Sequence, residues 1–239
     1  MFFIEHEQMN LVIDFGNTRI KTALFEDDTL IKENVFLSLD ELLAFDFNYK
    51  RVIISNVSYP EAKLKENFPE ALFVSHLLKM PFCINYTTPT TLGVDRLALT
   101  AGAISLEKQS DLLVIDLGTC ITYDFIEKGS YKGGAISAGI GLRAKAMHNF
   151  THKLPLIETI EDCELVGNST KNSMMSGLVN GVAFEIEGFI EQYRIKNDNI
   201  KVILSGGDAK FFETKIKQSI FVVPNLLLLG LNKILQENT

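Results

Sequence analysis

The residues best suited to chemistry are acidic and sit beside glycine turns. Leu11-Val12-Ile13-Asp14-Phe15-Gly16-Asn17-Thr18-Arg19-Ile20-Lys21 carries an apolar run to one carboxylate, turns at Gly16 and resumes as a second strand. Gly16 lets the backbone come close to a ligand, Asn17 and Thr18 add side-chain donors beside the free amides of the turn, and Lys21 supplies positive charge. Such a turn either closes an ordinary hairpin or cradles a phosphate chain, with Asp14 placed to hold a hydrated divalent cation. Leu113-Val114-Ile115-Asp116-Leu117-Gly118-Thr119-Cys120 repeats the pattern 102 residues later. The repetition predicts a duplicated domain whose two loops face each other across a central cleft and grip a nucleotide polyphosphate from both sides.

A third acidic group stands in Leu92-Gly93-Val94-Asp95-Arg96, at the start of an apolar helical pattern formed by Val94, Leu97, Ala98, Ala101 and Ile104. Two readings stay open for it. Asp95 favours the helix dipole with Arg96 as a solvated neighbour, or Asp95 is a general base beside a guanidinium fork that binds a substrate carboxylate.

The elements that must position these groups alternate between strand and helix. The hairpin at 11–25 precedes a short helix that Ser38 caps with Glu41 three residues on. Arg51–Ser55 reads as a buried strand, Ser58-Tyr59-Pro60-Glu61 opens a helix by the same capping logic, and Ala71–Val74 is a further strand. Lys79–Thr91, with two prolines and four threonines, is extended or looped. After the second hairpin at 112–126, the glycine-rich run 133–141 either lets backbone amides approach a ligand or lets a helix pack closely, and 142–152 is helical. A long helix starts at Ser169-Thr170 and reaches Tyr193, with Met174, Leu178, Ala183, Ile186 and Ile190 forming a core or subunit-contact stripe. Lys201–Asp208 is a strand entering a glycine turn at Gly206-Gly207, and a strand and helix close the chain at Phe221–Val223 and Leu226–Gln236. The alternation is that of an α/β protein.

Composition narrows the function classes. The 239 residues suffice for one large or two ordinary domains, and 46% of them are apolar, enough for a sizeable core. The formal net charge is −7 and the basic residues are scattered, which disfavours nucleic-acid and anionic-membrane partners. Cys83, Cys120 and Cys163 form no C-x-x-C pair and read as reduced core or strand residues of a cytoplasmic protein. His148 and His152 share a helix face but lack the companion ligands of a zinc site. The residues before Met9 lack the basic and long apolar regions of a signal peptide and read as a loose extension or an alternative start. No run is long enough to span a bilayer; the most apolar, 221–231, is interrupted by Pro224 and Asn225.

From Asn10 to near its end the sequence resembles the type III pantothenate kinases, of the superfamily of acetate and sugar kinases, heat-shock ATPases and actin. Asp14–Lys21 resembles the family's first phosphate motif D-x-G-N-T-x-x-K, Gly93-Val94-Asp95-Arg96 its G-x-D-R substrate motif, Asp116–Thr119 its second phosphate motif, and Leu204–Asp208 its adenosine-side turn. The resemblance implies an α/β fold of duplicated ribonuclease H-like, actin-like ATPase domains with a central cleft, the halves spanning 1–110 and 111–239. It implies ATP-dependent phosphorylation of pantothenate to 4′-phosphopantothenate, the first step toward coenzyme A. Asp95 would be the catalytic base. Tyr86, Gly93, Val94, Asp95, Arg96 and Thr170 would bind pantothenate. Asp14, Phe15, Gly16, Asn17, Thr18, Arg19, Ile20, Lys21 and Thr119 would bind ATP. Asp116 would hold potassium or ammonium, and Asp14 magnesium, through water. The family works as a homodimer. Cys120 stands where its members commonly have alanine, and Ala138 where a proline is frequent; neither removes a proposed catalytic group. The competing readings are a kinase or phosphatase for another small substrate and a non-catalytic nucleotide-binding regulator.

Overall fold

The computed structural model describes residues 9–239, so the expectations about the segment before Met9 lie outside the described residues. The described residues form two compact units: one comprises 9–109, 126–133 and 225–239, the other 110–125 and 134–224.

The first unit opens with β1 (Asn10–Phe15), β2 (Ile20–Glu26) and β3 (Thr29–Phe36), continues through α1 (Leu39–Leu43), β4 (Arg51–Asn56), α2 (Glu61–Asn67) and β5 (Leu72–Phe73), and reaches β6 (Cys83–Ile84) and α3 (Val94–Leu106). The sheet order is β3-β2-β1-β4-β5, with β1 antiparallel to β2 and parallel to β4. Every residue of β1 is buried, as expected of a central strand covered on both faces. Leu11, Ile13 and Phe15 face a core completed by Ile20, Leu24 and Ile54. Asp14, whose side chain alternates to the other face, lies beside Ser55 of β4 and opposite Lys21 of β2.

Ser38 caps α1 as expected: its hydroxyl accepts from the Glu41 amide at 3.2 Å, while the Glu41 carboxylate accepts from the Leu37 amide at 2.8 Å. The cap expected from Ser58 does not form. Pro60 is the N-cap residue of α2 and makes no side-chain cap bond. The Ser58 hydroxyl instead reaches the Phe15 and Gly16 carbonyls, at 3.1 and 2.9 Å, and ties the first acidic turn to the end of β4. The Asn56 side chain prepares this arrangement by accepting from the Ser58 and Tyr59 amides.

The second unit contains β7 (Leu112–Leu117), most of β8 (Cys120–Glu127) and β9 (Ser130–Ala138), then α4 (Ile140–Asn149), α5 (Thr170–Lys196), β10 (Lys201–Ser205), α6 (Ala209–Glu213) and β11 (Phe221–Val222). Its strands follow the order β11-β10-β7-β8-β9, and β7 and β10 are parallel. The five stripe residues of α5 join one core with Leu113, Ile115 and Leu204 of the sheet. Ser169 caps this 27-residue helix by accepting from the Asn172 amide.

The last helix, α7 (Leu226–Glu237), belongs to the first unit and packs on α3. This contact alters the reading of α3. One apolar face is expected, yet every residue from Arg96 to Ile104 is buried, because α7 covers the side that would otherwise meet water. Two glycines permit the approach. A Cβ on Gly230 would lie 1.7 Å from the Ala98 carbonyl oxygen, and one on Gly102 would lie 2.3 Å from that of Leu226. The partner is fixed by a buried polar contact: the Asn10 amide donates to Asn232 Oδ1 at 2.9 Å, and the Asn232 amide donates to the Asp27 carbonyl at 2.7 Å. Among the described residues no helix is long and apolar enough to cross a membrane.

Gly230→Ala forces the two helix backbones apart and is expected to lower Tm by about 5 °C or more, the scale of overpacking in a domain of this size. Thermal melts beside wild type check this; an unchanged Tm would contradict the close approach.

Candidate active site

The first acidic turn is built around a buried carboxylate. Asp14 ends a strand buried on both faces and is itself 8% exposed. Among the described residues, Asp14 Oδ1 and the neighbouring Ser55 hydroxyl each lack a partner at full hydrogen-bond geometry. Burial is the largest influence on Asp14 and pushes its pKa up from 3.8 to about 6; the nearby Ser55 hydroxyl opposes this, the Asp95 charge adds to it, and Lys21 opposes it. Asp14, Asp95 and Lys21 are thus electrostatically coupled within one unit. Phe15 and Ile20 are buried core residues at the two ends of the turn. Asn17, Thr18 and Arg19 are exposed, and the Gly16 amide donates to the Arg19 carbonyl at 3.2 Å. A side chain at Gly16 would meet Arg19 and the Asp14 carboxylate.

Asp95 occupies the first turn of α3 and is half-buried. Its Oδ1 accepts from the Arg96 amide at 2.8 Å, and a Cβ at Gly93 would sit 2.4 Å from that oxygen, so glycine is required for the carboxylate to fold back over the helix start. Val94 is half-buried beside it. Arg96 is not a solvated neighbour: it is buried, with its guanidinium 5.8 Å from the centre of the Tyr131 ring. Tyr86 meets the same ring edge-on at 5.8 Å, and its own ring lies 3.2 Å from where a Cβ on Gly133 would project. Tyr86, Arg96, Tyr131 and Gly133 therefore form one cluster in the first unit, held by β6 pairing with the start of β9. Tyr131 carries no recognisable motif; its place depends on a strand pairing 47 residues apart in sequence that no local pattern announces.

The second unit carries the other acidic turn. Asp116 is half-buried on β7 beside Ser205 of β10, and Thr119 is exposed at the turn. Gly118 donates its amide to the Cys120 carbonyl at 3.1 Å. The Gly139 amide donates to the Thr119 carbonyl at 3.0 Å, and a Cβ on Gly139 would lie 2.2 Å from the Gly118 oxygen. The glycine-rich run thus serves close packing: Gly134 lies against the Tyr123 carbonyl and Gly139 against the turn, while a Cβ on Gly141 would meet nothing within 4 Å. At the turn after β10, Gly206 has φ +95° and presses on the Leu117 backbone, so the open position is Gly207. Thr170 is exposed at the first residue of α5, in this unit, whereas Tyr86, Gly93 and Asp95 belong to the other.

The cysteine expectation is corrected in part. Cys83 and Cys120 begin strands yet are exposed, since each sits at the open end of its element, and Cys163 is half-buried in a loop. His148 Nδ1 is engaged with the Leu154 carbonyl at 2.9 Å. Among the described residues no cluster of three or more His, Cys, Asp or Glu side chains is arranged to hold a metal. A cation held by a single carboxylate, with water and phosphate oxygens completing its shell, fits Asp14, whose buried Oδ1 lacks a hydrogen-bond partner.

Comparison with known proteins places these groups in a family. The family model for type III pantothenate kinase matches residues 10–192. Proteins named type III pantothenate kinase from Flavobacterium psychrophilum and Cytophaga hutchinsonii are 43% and 42% identical to the chain. The alignments cover 95% of the chain and 99% of the first relative, and 96% of the chain and 100% of the second. Among solved structures, a Campylobacter jejuni protein named as a candidate Baf family transcriptional activator superposes with a TM-score of 0.64 at 23% identity, over 95% of this chain and 98% of that one. Component A of (R)-2-hydroxyglutaryl-CoA dehydratase from Acidaminococcus fermentans superposes with a TM-score of 0.55 at 12% identity, over 96% of each chain.

The raised pKa of Asp14 sets the sign of a pH effect. With an unfolded value of 3.8 and a folded value of about 6, the folded state holds the extra proton between them. Stability is therefore fully present below the lower value and is lost as pH rises through the upper one, by about 3 kcal/mol at 1.36 kcal/mol per unit. Asp14→Asn, which cannot ionise, is expected to gain stability over wild type by that amount between pH 4 and pH 8 without ligands. Denaturant unfolding across that range checks it; a constant difference would contradict the shift.

Proposed function

The chain belongs to the type III pantothenate kinase family, and from that premise we propose how its residues carry the reaction. The activity is transfer of a phosphoryl group from ATP to pantothenate, giving 4′-phosphopantothenate in coenzyme A biosynthesis. The fold is the duplicated α/β architecture of the acetate and sugar kinase, heat-shock ATPase and actin superfamily.

Asp95 is the general base. The observation that carries this role is its position at the rigid start of α3, with Oδ1 held by the Arg96 amide, which leaves Oδ2 to take a proton. The pantothenate hydroxyl loses its proton to Asp95 as its oxygen bonds to the γ-phosphorus, and the bond to the bridging oxygen of ADP breaks. Phosphoryl transfer of this kind depends on positioning and charge stabilisation, to which a placed base adds about 10²–10⁴-fold. Arg96 receives the pantothenate carboxylate, because a guanidinium carried into a buried site gives a bidentate partner where water competes least. Tyr86, Gly93, Val94 and Thr170 line the same substrate.

Asp14 to Lys21 and Thr119 hold ATP. Lys21 neutralises phosphate charge, and the Gly16 turn brings backbone amides to it. Asp14 would hold magnesium through water, and the ion would supply positive charge to offset the negative charge developing on the phosphates. Asp116 would hold potassium or ammonium. The protein works in the cytoplasm as a homodimer. Supporting the dimer, α5 presents Phe184, Phe189 and Tyr193 along an open groove of about 510 Å³, and Cβ atoms added at Gly177, Gly181 and Gly188 would meet nothing within 4 Å.

Incubation with ATP, magnesium, potassium and pantothenate is expected to yield 4′-phosphopantothenate, and Asp95→Asn to lower kcat by about 10² or more while still binding ATP. Product formation followed by mass spectrometry checks both. No product from wild type would remove the substrate assignment, and near-normal turnover by the variant would remove Asp95 from the base role. Replacing potassium by sodium is expected to slow wild-type turnover; equal rates in the two salts would count against a monovalent site at Asp116.

A further inference from the structure

The second phosphate turn is held in place by something that no motif describes. Gly139 is the contact: its amide bonds to the Thr119 carbonyl, and its missing side chain allows it to rest on the Gly118 and Thr119 oxygens. Gly139 is also the N-cap residue of α4 and makes no side-chain cap bond. The residues just before it are held by Arg143, four positions further along. Arg143 Nε donates to the Ala138 carbonyl at 2.7 Å, and its terminal nitrogen donates to the Ser137 hydroxyl at 2.9 Å. The Arg143 backbone amide donates to the Gly139 carbonyl at 2.9 Å, so side chain and main chain together wrap the junction of β9 and α4.

Arg143 is itself held from outside. Its terminal nitrogen pairs with Glu185 of α5, both side chains being about three-quarters buried. The other Glu185 oxygen accepts from the Tyr123 hydroxyl at 2.9 Å. Tyr123 is fully buried on β8 and stacks on Phe189 of α5, with ring centres 4.0 Å apart. Burial disfavours the Glu185 charge, but hydrogen bonds from Arg143, Ser137 and Tyr123 outweigh it and hold the carboxyl below its ordinary range. Burial, with the adjacent Glu185 charge, pushes the Tyr123 phenol up and keeps its proton available as a donor. All these groups lie in the second unit.

We propose that Arg143, oriented by Glu185 and Tyr123, is a positioning residue for ATP binding: it fixes the β9–α4 junction on which the Thr119 turn rests. The inference rests on the assignment of Thr119 to ATP. The arrangement demands arginine. Only a planar fork serves a carbonyl, a hydroxyl and a carboxylate from one side chain, whereas a lysine ammonium lies at one point. Displacing a positioning element by about 1 Å costs about 10²-fold in the reactions it serves, so loosening the junction reaches the site without touching a ligand.

The test measures Mg-ATP affinity of the full chain by calorimetry without pantothenate, together with steady-state KM values for both substrates. Arg143→Ala is expected to weaken ATP binding and raise the ATP KM about tenfold or more while the pantothenate KM stays within about twofold. Arg143→Lys is expected to restore little of this, and Glu185→Gln, which keeps the shape but removes the charge, to give an intermediate loss. Unchanged ATP affinity in folded Arg143→Ala overturns the inference. So does a parallel decline in both substrates that tracks lost thermal stability, the mark of a merely structural contact. If Arg143→Ala does not fold, the lysine and glutamine variants decide by the same criterion. A wild type that binds ATP but makes no phosphopantothenate removes the substrate assignment, and the ATP titration still decides the role of Arg143; a wild type that binds no ATP overturns both.

Discussion

The first unit is organised by the cost of stripping water from one carboxylate. Asp14 is buried at the end of a strand covered on both faces, with one oxygen lacking a hydrogen-bond partner among the described residues. Leaving such a group unsatisfied is expensive, and a fold selected for stability alone would replace it. Two neighbours reduce that cost without removing it, Lys21 across the strand pair and Ser55 alongside, while the negative charge of Asp95 adds to it. An oxygen in this state suits the magnesium proposed for it. The turn beyond it is correspondingly stiff, because Ser58 anchors the Phe15 and Gly16 carbonyls from another strand end.

The two units solve one backbone problem with the same parts and then diverge. Each has a central strand ending in Asp, an apolar residue and Gly, and each sets a serine beside that aspartate on the neighbouring parallel strand, Ser55 next to Asp14 and Ser205 next to Asp116. In the first unit the strand pair is followed by α3, which delivers Asp95 and Arg96 from a helix buried on all sides. In the second, α5 supplies core along one face and Glu185 along another, so the same helix that builds the core also holds Arg143 at the β9–α4 junction. Glycines mark the places where backbone meets backbone, at Gly102 with Gly230, Gly134 with Tyr123 and Gly206 with Leu117.

What could be read from the sequence was what short-range chemistry determines. Apolar runs gave the central strands, Ser38 and Ser169 marked helix starts through their hydroxyls, and the two acidic glycine turns repeated closely enough to reveal the duplication. Contacts between distant residues were not legible. Ser58 looks like a cap but is drawn to two carbonyls 42 and 43 positions earlier, and α3 shows an amphipathic pattern although α7, 120 residues further on, covers its second side. Gly206 looks like a ligand-facing glycine but is used by the adjacent strand. Tyr131 and Arg143 matter through partners that a linear scan does not bring together. A signal was present for Arg143: a lone arginine four residues past the glycine that ends the β9 run is placed to reach back over a helix start.

The most direct test of the central claim is a carbon-13 NMR titration of the Asp14 side-chain carboxyl, free and saturated with Mg-ATP. A midpoint near 6 in the free protein that falls below the ordinary carboxylate range when the cation and nucleotide bind is the result the account predicts. A midpoint at 3.8 in the free protein, unmoved by Mg-ATP, would contradict it.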